Sequence, residues 1–316
     1  MVVSTNSLRQ LARDCEPPPC LVAACRRTGI KTFQVPHGVN FADFHYDLFP
    51  VSSEFVLAGG PGISNFYNDN GVPRERLKEV GIPRYDELLF KCSTDQRVQF
   101  RKDEKIDENE FVMLFALAVP AEFNLHQPDE YDEEVSGLGR QPESHRFFPL
   151  RDFVGFAGRE EMRTIFKFHP LDPHWTNTRK FIERQAHTSL FKNSLQNALY
   201  FRQEKEAAVL VSASDLVISF FSNIAIEALA FGKPTILLDC FRFSETKIPF
   251  FKTEQGSYWV ASSEEEFRKK FFDFRKNGAD PKRLKEASDW FKQDWVGPLD
   301  GRSGERAAKA ICREIS

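Results

Sequence analysis

The sequence lacks the features that would place it among membrane, secreted or disordered proteins. It has no run of about 18 apolar residues, so we expect no transmembrane helix. Its first residues show neither the basic start nor the long apolar region of a secretory signal. Neither charge dominates, because 43 Lys and Arg face 46 Asp and Glu for a net charge of −3, which argues against a generally basic nucleic-acid binder. With 41% hydrophobic residues, the chain has the composition of a folded globular protein. From the absences above we expect a cytoplasmic protein that binds no nucleic acid.

The cysteines form no metal-binding pattern. The chain has six cysteines and no CxxC pair. Cys15, Cys20 and Cys25 are spaced five apart, whereas zinc ligands usually lie two to four residues from each other. We therefore interpret the cysteines as reduced structural thiols. We also expect no metal and no cofactor, for which the family resemblance given below is the ground.

Short strands alternate with helices along most of the chain, which predicts an α/β fold with a mainly parallel sheet. The segment 124–149, with its Pro, Gly and acidic residues, is predicted to be a long loop. Thr178–Ala198 has a helical pattern, and Ala207–Val211 is predicted to be a strand. In such sheets ligands bind beyond the carboxyl ends of the strands, so these ends are where we look for chemistry.

Two histidines follow predicted strands directly. His37 comes after the strand Ile30–Val35, and His169 comes after Thr164–Phe168. Lys167 lies two residues before His169, so the two side chains share one face of the strand. A histidine in this position can bind phosphate or accept a proton from a hydroxyl, because its ordinary pKa lies near neutrality. It can equally be a structural residue bonded to a nearby carbonyl.

The segment from Ser214 to Pro234 carries the strongest signal. A strand leads through Ser222 and Asn223 into a helix whose free N–H groups and dipole favour a phosphate. Ser222 and Asn223 can also be simple N-caps. Glu227 lies five and four residues after them, so it does not fit the capping-box spacing of three. A carboxylate on this otherwise apolar helix needs a partner, which a ligand hydroxyl or an internal Lys or Arg could supply.

Five blocks stand in order along the chain. They are His37-Gly38, Gly81-Ile82-Pro83-Arg84-Tyr85-Asp86, Lys167-Phe168-His169-Pro170, Asp215 to Pro234, and Asp300-Gly301-Arg302 with Glu305-Arg306. Together these blocks resemble the GT-B transferases that build cell-surface polymers, and the resemblance spans nearly the whole chain. The similarity is greatest to CDP-glycerol glycerophosphotransferases of teichoic acid synthesis and to capsule polysaccharide transferases, and the UDP-N-acetylglucosamine 2-epimerases share some blocks.

This resemblance implies two Rossmann-like domains and a role for each candidate residue. His37 would act as a base or orient the acceptor. His169 would sit near the donor phosphates, where the amides at Ser222-Asn223 would stabilise the leaving diphosphate without a metal. Lys167 would belong to the same donor site. Glu227 would accept hydrogen bonds from ribose or sugar hydroxyls, and Arg84, in a hinge at 81–86, would reach a phosphate.

The domain prediction that follows has three parts. Residues 1–87 form a partial N-terminal Rossmann-like domain on the acceptor side, 88–300 form the C-terminal nucleotide-donor-binding domain, and 301–316 form a C-terminal helix. The chain before His37 has room for about one βα unit. A complete N-terminal domain of ordinary size would need roughly 80 to 150 more residues there. A fragment, a mis-started reading frame and a reduced protein all fit this shortness.

The sequence thus predicts transfer of a glycosyl or polyol-phosphate group from a nucleotide-sugar or CDP-polyol donor to a glycan or lipid-linked acceptor. The alternatives are a sugar-nucleotide epimerase and a non-catalytic nucleotide-binding remnant that needs a partner chain. Because such acceptors are often lipid-linked, peripheral contact with the cytoplasmic face of the membrane stays open.

Overall fold

The structure is a computed structural model that describes residues 2–4, 19–35, 51–91, 94–117, 162–169, 175–186, 197–219, 223–238 and 259–316. The chain divides into two compact units: unit 1 comprises Met1–Phe90 and Ser288–Ser316, and unit 2 comprises Lys91–Ala287. The sequence predicts boundaries after residues 87 and 300; the chain passes between the units after Phe90 and again after Ala287.

The strands are β1 (Val2–Ser4), β2 (Thr32–Gln34), β3 (Phe55–Ala58), β4 (Leu77–Glu79), β5 (Val112–Leu117), β6 (Arg163–Phe168), β7 (Leu199–Phe201), β8 (Leu216–Ser219), β9 (Thr235–Leu238) and β10 (Trp259–Ala261). The α-helices are α1 (Pro19–Arg27), α2 (Pro61–Asp69), α3 (Pro83–Lys91), α4 (Thr94–Asp103), α5 (Trp175–Ala186), α6 (Ala207–Ala213), α7 (Asn223–Ala230), α8 (Glu264–Asn277), α9 (Pro281–Trp290) and α10 (Ser303–Ile315). A 3-10 turn covers Arg74–Arg76, and a π-helical segment covers Phe291–Val296.

Unit 1 contains a four-stranded parallel sheet in the order β1-β2-β3-β4. Phe33 and Phe55 stack on each other with ring centroids 5.2 Å apart, and the C-terminal helix α10 adds Ala307 to the same buried cluster. Both ends of the chain therefore build this unit.

Unit 2 contains a six-stranded parallel sheet in the order β10-β9-β8-β5-β6-β7. Counted by their appearance in the unit, the strands follow the order 3-2-1-4-5-6 of a doubly wound dinucleotide-binding sheet. The α/β class and the parallel sheet predicted from the sequence are confirmed.

Both faces of this sheet are covered, which explains why its strands are apolar on both sides. One face packs its Phe115, Phe166 and Ile218 against Phe267 and Phe271 of α8. The other packs apolar residues of β5, β6 and β8 against α6 and α7. Ser263 is the N-cap of helix α8, because its side chain accepts a hydrogen bond from the Glu266 N–H at 3.2 Å.

One secondary-structure prediction in unit 2 is wrong. Ala207–Val211 lies in helix α6 rather than in a strand, because a short apolar run does not distinguish a buried helix from a buried strand. Of the helix predicted over 178–198, the structure describes 178–186, which belong to α5, and 187–196 lie outside the described residues. Leu199–Phe201, which immediately follows the predicted helix, is strand β7 and pairs with β6.

Candidate functional site

The sheet of unit 2 has its topological switch point between β5 and β8. From β5 the chain proceeds to β6 and β7 on one side, and from β8 it proceeds to β9 and β10 on the other. At such a point the loops leave the two central strands in opposite directions, and the crevice between them binds ligands. Helix α7 begins at Asn223, four residues after β8 ends at Ser219.

Lys167 lies one residue before the end of β6, close to this edge. It pairs with Ala116 of β5, which pairs in turn with Ser219 of β8, so the three side chains point to the same face. The Lys167 side chain is buried, with 8% of the residue exposed. Its ammonium donates hydrogen bonds to the carbonyl oxygens of Phe168, at 2.9 Å, and Arg202.

The electrostatic surroundings of Lys167 include the candidate carboxylate. Burial lowers the pKa of the Lys167 ammonium, while the negative charges of Glu204 and Glu227 act against this shift. The sequence leaves open whether Glu227 faces a ligand or an internal cation. Lys167 is a buried internal cation, and its charge interacts with that of Glu227.

Glu227 itself is 1% exposed and belongs to helix α7, whose neighbouring residues Ile224 and Ala228 pack into the core. Burial of a carboxylate in an apolar helix is costly unless charged or hydrogen-bonding groups compensate it. Packing of the helix on β5 and β8 fixes this carboxylate near the switch point.

Asn223 supplies a second polar group at the same helix start. The residue is partly exposed, but its Oδ1 atom is buried and accepts no hydrogen bond within the described part of the chain. The first N–H groups of an α-helix lack partners in the helix and carry partial positive charge. The start of α7 thus offers both a donor set for an anion and an acceptor for a hydroxyl or N–H group.

The other predicted site residues have different positions. His169 follows β6 directly and is exposed, at the same edge as Lys167. Arg84, which the resemblance places in a hinge at 81–86, is exposed in helix α3 of unit 1, and this helix begins at Pro83. His37 and Ser222 lie outside the described residues. The structure therefore brings Lys167, His169, Asn223 and Glu227 to the edge region of one sheet.

Sequence reasoning missed an aromatic and cationic group at the same edge. Trp175 at the start of α5 packs its ring against Phe168, with centroids 6.1 Å apart. The guanidinium of Arg202, one residue beyond β7, lies over the Trp175 ring at 5.5 Å. The signal was the position of Arg202 directly after a strand, which was hidden because that strand was not predicted.

Asp215, the first residue of the most informative block, has a structural role at the opposite end of β8. Its carboxylate accepts hydrogen bonds from Arg97, Arg101 and the Val112 N–H, each at 2.8 Å. Burial on its own raises the pKa of Asp215, but the hydrogen bonds from Arg97 and Val112 and the charge of Arg101 outweigh it and hold the pKa below its ordinary value. The group ties helix α4 to β5 and β8.

In unit 1, two of the resembling blocks contact each other. Asp86 accepts hydrogen bonds from the Ser303 hydroxyl, at 2.8 Å, and from the Gly304 N–H, at 3.1 Å. The Arg306 guanidinium donates to the Val80 carbonyl at 2.9 Å and binds both oxygens of Asp300. These blocks therefore fix helix α10 to the end of β4.

The glycine-rich turn after β3 is also filled by the chain itself. A Cβ atom at Gly59 would lie 2.5 Å from the Trp295 carbonyl oxygen, and one at Gly60 would lie 2.7 Å from the carbonyl oxygens of Gln293 and Asp294. The π-helical segment occupies this turn, so the glycines here serve backbone packing.

The described residues contain no group of three His, Cys, Asp or Glu side chains arranged to hold a metal ion. None of the helices in the described ranges is long and apolar enough to cross a bilayer.

Comparison with known proteins gives the fold a name. No protein-family model matches the chain, and no curated protein matches it significantly in sequence. Among solved structures, the UDP-GlcNAc 2-epimerase of Neisseria meningitidis, bound to UDP-GlcNAc, matches with a TM-score of 0.57 and 14% identity over 92% of this chain and 72% of that one. The wall teichoic acid polymerase TagF matches with a TM-score of 0.56 and 14% identity over 90% and 69%. Anabaena HepE, in complex with UDP-glucose, matches with a TM-score of 0.52 and 13% identity over 91% and 75%. The chain has a Rossmann-like fold of the GT-B type, as the sequence resemblance predicts.

Proposed function

We propose that the protein transfers a glycosyl or polyol-phosphate group from a nucleotide-activated donor to a cell-surface glycan or lipid-linked acceptor. One observation carries the proposal: Lys167, His169, Asn223 and Glu227 belong to the carboxyl-edge region of a doubly wound sheet, around its switch point. Neighbours with this fold bind UDP-GlcNAc and UDP-glucose, and TagF polymerises wall teichoic acid.

The donor diphosphate would lie at the start of helix α7. The N–H groups of Ser222 and Asn223 would stabilise the negative charge that develops on the leaving diphosphate, an electrostatic role that needs no metal ion. Lys167 would add a nearby positive charge, and His169 would contact the phosphates from the end of β6. This arrangement lowers the barrier because its dipoles are already oriented before the reaction.

The remaining candidates would serve recognition and proton transfer. Glu227 would accept hydrogen bonds from ribose or sugar hydroxyls. His37 would take the proton of the attacking acceptor hydroxyl, or orient that hydroxyl, as the donor bond breaks. Arg84 is proposed to bind phosphate.

A thermal-shift screen against UDP, CDP, GDP, CMP and ADP tests the donor site. A ligand at 100 times its Kd should add about 2.7 kcal/mol to the free energy of unfolding, which raises Tm by several degrees. We expect one nucleoside diphosphate to give a selective shift.

The variants His169→Ala and Glu227→Ala should each weaken binding of that nucleotide while the circular dichroism spectrum stays unchanged. Lys180→Ala, a substitution at an exposed position of α5, should leave the nucleotide affinity unchanged. Unchanged affinity in both site variants would remove the assigned donor site.

An epimerase is the second candidate, because one of the similar structures is the UDP-GlcNAc 2-epimerase of Neisseria meningitidis. That reaction acts on the free nucleotide sugar. Incubation with UDP-GlcNAc and no acceptor distinguishes the two reactions. If the nucleotide sugar is epimerised, the isomerase is supported. If UDP-GlcNAc stays unchanged without an acceptor and is consumed once a glycan is added, the transferase is supported.

A further inference from the structure

The ends of β6 and β7 carry an aromatic pair that the proposed donor contacts do not use. The Arg202 guanidinium lies over the indole of Trp175 at 5.5 Å, and that indole packs edge-on against Phe168 at 6.1 Å. Trp175 and Arg202 are both partly exposed. A stacked guanidinium and indole at a ligand-binding edge form a flat, cationic surface.

Lys167 connects this surface, formed by Trp175 and Arg202, to the proposed donor site. The Lys167 ammonium donates hydrogen bonds to the carbonyl oxygens of Phe168, at the end of β6, and Arg202, one residue beyond β7. The turn after β7 is held in addition by Glu204, whose carboxylate accepts from the N–H groups of Arg202, at 2.5 Å, and Gln203, at 2.9 Å. The surface is therefore preorganised beside the residues expected to hold the diphosphate.

The topology indicates which part of a nucleotide would reach it. Strands β5, β6 and β7 form one half of the sheet, and the surface lies at the strand ends of this half, across the switch point from the start of α7. A nucleotide that crosses the switch point, as dinucleotides do in sheets of this order, would bring its base to this surface. Nucleobases stack on Arg guanidinium planes and on aromatic rings, and such stacking tolerates different bases because every base has a π-face.

We propose that Trp175 and Arg202 form the wall against which the nucleobase of the donor stacks, so that this pair selects nucleotides over diphosphates without a base. The inference rests on the proposed function and extends it to the nucleoside end of the donor. It assigns the two side chains to binding rather than to the chemical step.

Calorimetric titration with UDP, CDP, GDP and ADP, and with inorganic pyrophosphate as the ligand without a base, tests the wall. Arg202→Ala and Trp175→Ala should each weaken binding of the preferred nucleotide on the order of 10-fold, the range measured for loss of one stacking partner, and leave pyrophosphate binding unchanged. Trp175→Phe should keep part of the affinity because it keeps a ring.

Arg179→Ala is the matched control. The Arg179 guanidinium lies over the Tyr200 ring at 5.1 Å. This is also a pair of a guanidinium and an aromatic ring, but Tyr200 lies within β7 rather than beyond its end. Loss of Arg179 should leave nucleotide affinity unchanged. Tryptophan fluorescence adds a second readout: the nucleotide should quench emission in the wild type and in Trp290→Phe, and should not in Trp175→Phe.

Two outcomes would overturn the proposal that Trp175 and Arg202 form a stacking wall. One is a nucleotide affinity that stays unchanged in both alanine variants. The other is an equal loss of nucleotide and pyrophosphate binding, which would show a merely structural role. A wild-type chain that binds no nucleotide overturns the proposed function as well, which separates that failure from a failure of the wall alone.

Discussion

Replacing Asp215 by Asn tests how unit 2 is held together away from the candidate site. The carboxylate joins Arg97 and Arg101 of helix α4 to the Val112 N–H at the start of β5. Arg101 is 5% exposed, so the variant leaves a buried cation without its anion. An amide of the same shape isolates the loss of charge from any loss of volume.

The magnitude follows from the contacts that are lost and kept. Two hydrogen bonds between charged groups are weakened, each worth about 1.5 to 3 kcal/mol. The Asp215 side chain is 28% exposed, and Arg101 keeps its bonds to the carbonyl oxygens of Ala213, Asp107, Glu108 and Glu110, so part of this is retained. We expect a net cost of about 2 to 4 kcal/mol, below the usual maximum for breaking a buried pair. For a unit of this size that lowers Tm by roughly 5 to 10 °C.

The assay is thermal and urea unfolding of both forms across pH. Because the folded pKa of Asp215 is depressed, its stabilisation is present above pH about 4 and is lost as pH falls through the folded pKa, so the two forms should converge in acid. Glu264→Gln is the control, since its exposed pair with Arg268 should contribute less than about 1 kcal/mol. A difference under about 0.5 kcal/mol at neutral pH for Asp215→Asn would refute this reasoning.

Three further predictions concern stability. Asp86→Ala should cost about 1 kcal/mol in urea unfolding, because it removes the acceptor for the first turn of α10; an unchanged midpoint would contradict this capping role. Gly60→Ala should lower Tm strongly because its Cβ would meet carbonyl oxygens at 2.7 Å, whereas Gly304→Ala, with open space around it, should be neutral or stabilising; equal effects would contradict the packing argument. Burial raises the pKa of the Tyr200 phenol to about 12, so stability should fall as pH rises from about 10 through 12, and this fall should shrink in Tyr200→Phe.

The sequence predicts the α/β fold and the parallel sheet because alternation of apolar strands and helices is a local pattern. Helix ends also carry local signals in the sequence, such as Gly232-Lys233-Pro234 after α7 and Ser263 before α8. It mistakes helix α6 for a strand because both are short and buried. Strand β7 has three residues and is defined by its pairing with β6, which no local pattern contains.

The candidate site was predictable where a side chain violates its local pattern. Glu227 stands out as a carboxylate in an apolar helix, and His169 stands out directly after a strand. That Lys167 is a buried cation within electrostatic reach of Glu227 was not predictable, because it depends on strand order. The role of Asp215 was not predictable either, since its partners Arg97 and Arg101 lie more than 100 residues away in the chain.

The division of unit 1 between both ends of the chain has a consequence for biosynthesis. A ribosome that makes this protein completes all of unit 2 before it reaches Ser288, so the continuous unit can fold while synthesis proceeds. Helix α10 and the π-helical segment emerge only after all of unit 2, and until then the glycine-rich turn and the end of β4 lack their covering. The nascent sheet of unit 1 therefore has to wait, with apolar surface exposed, while the whole of unit 2 is translated, and it is the part of the chain where we expect chaperone binding during translation.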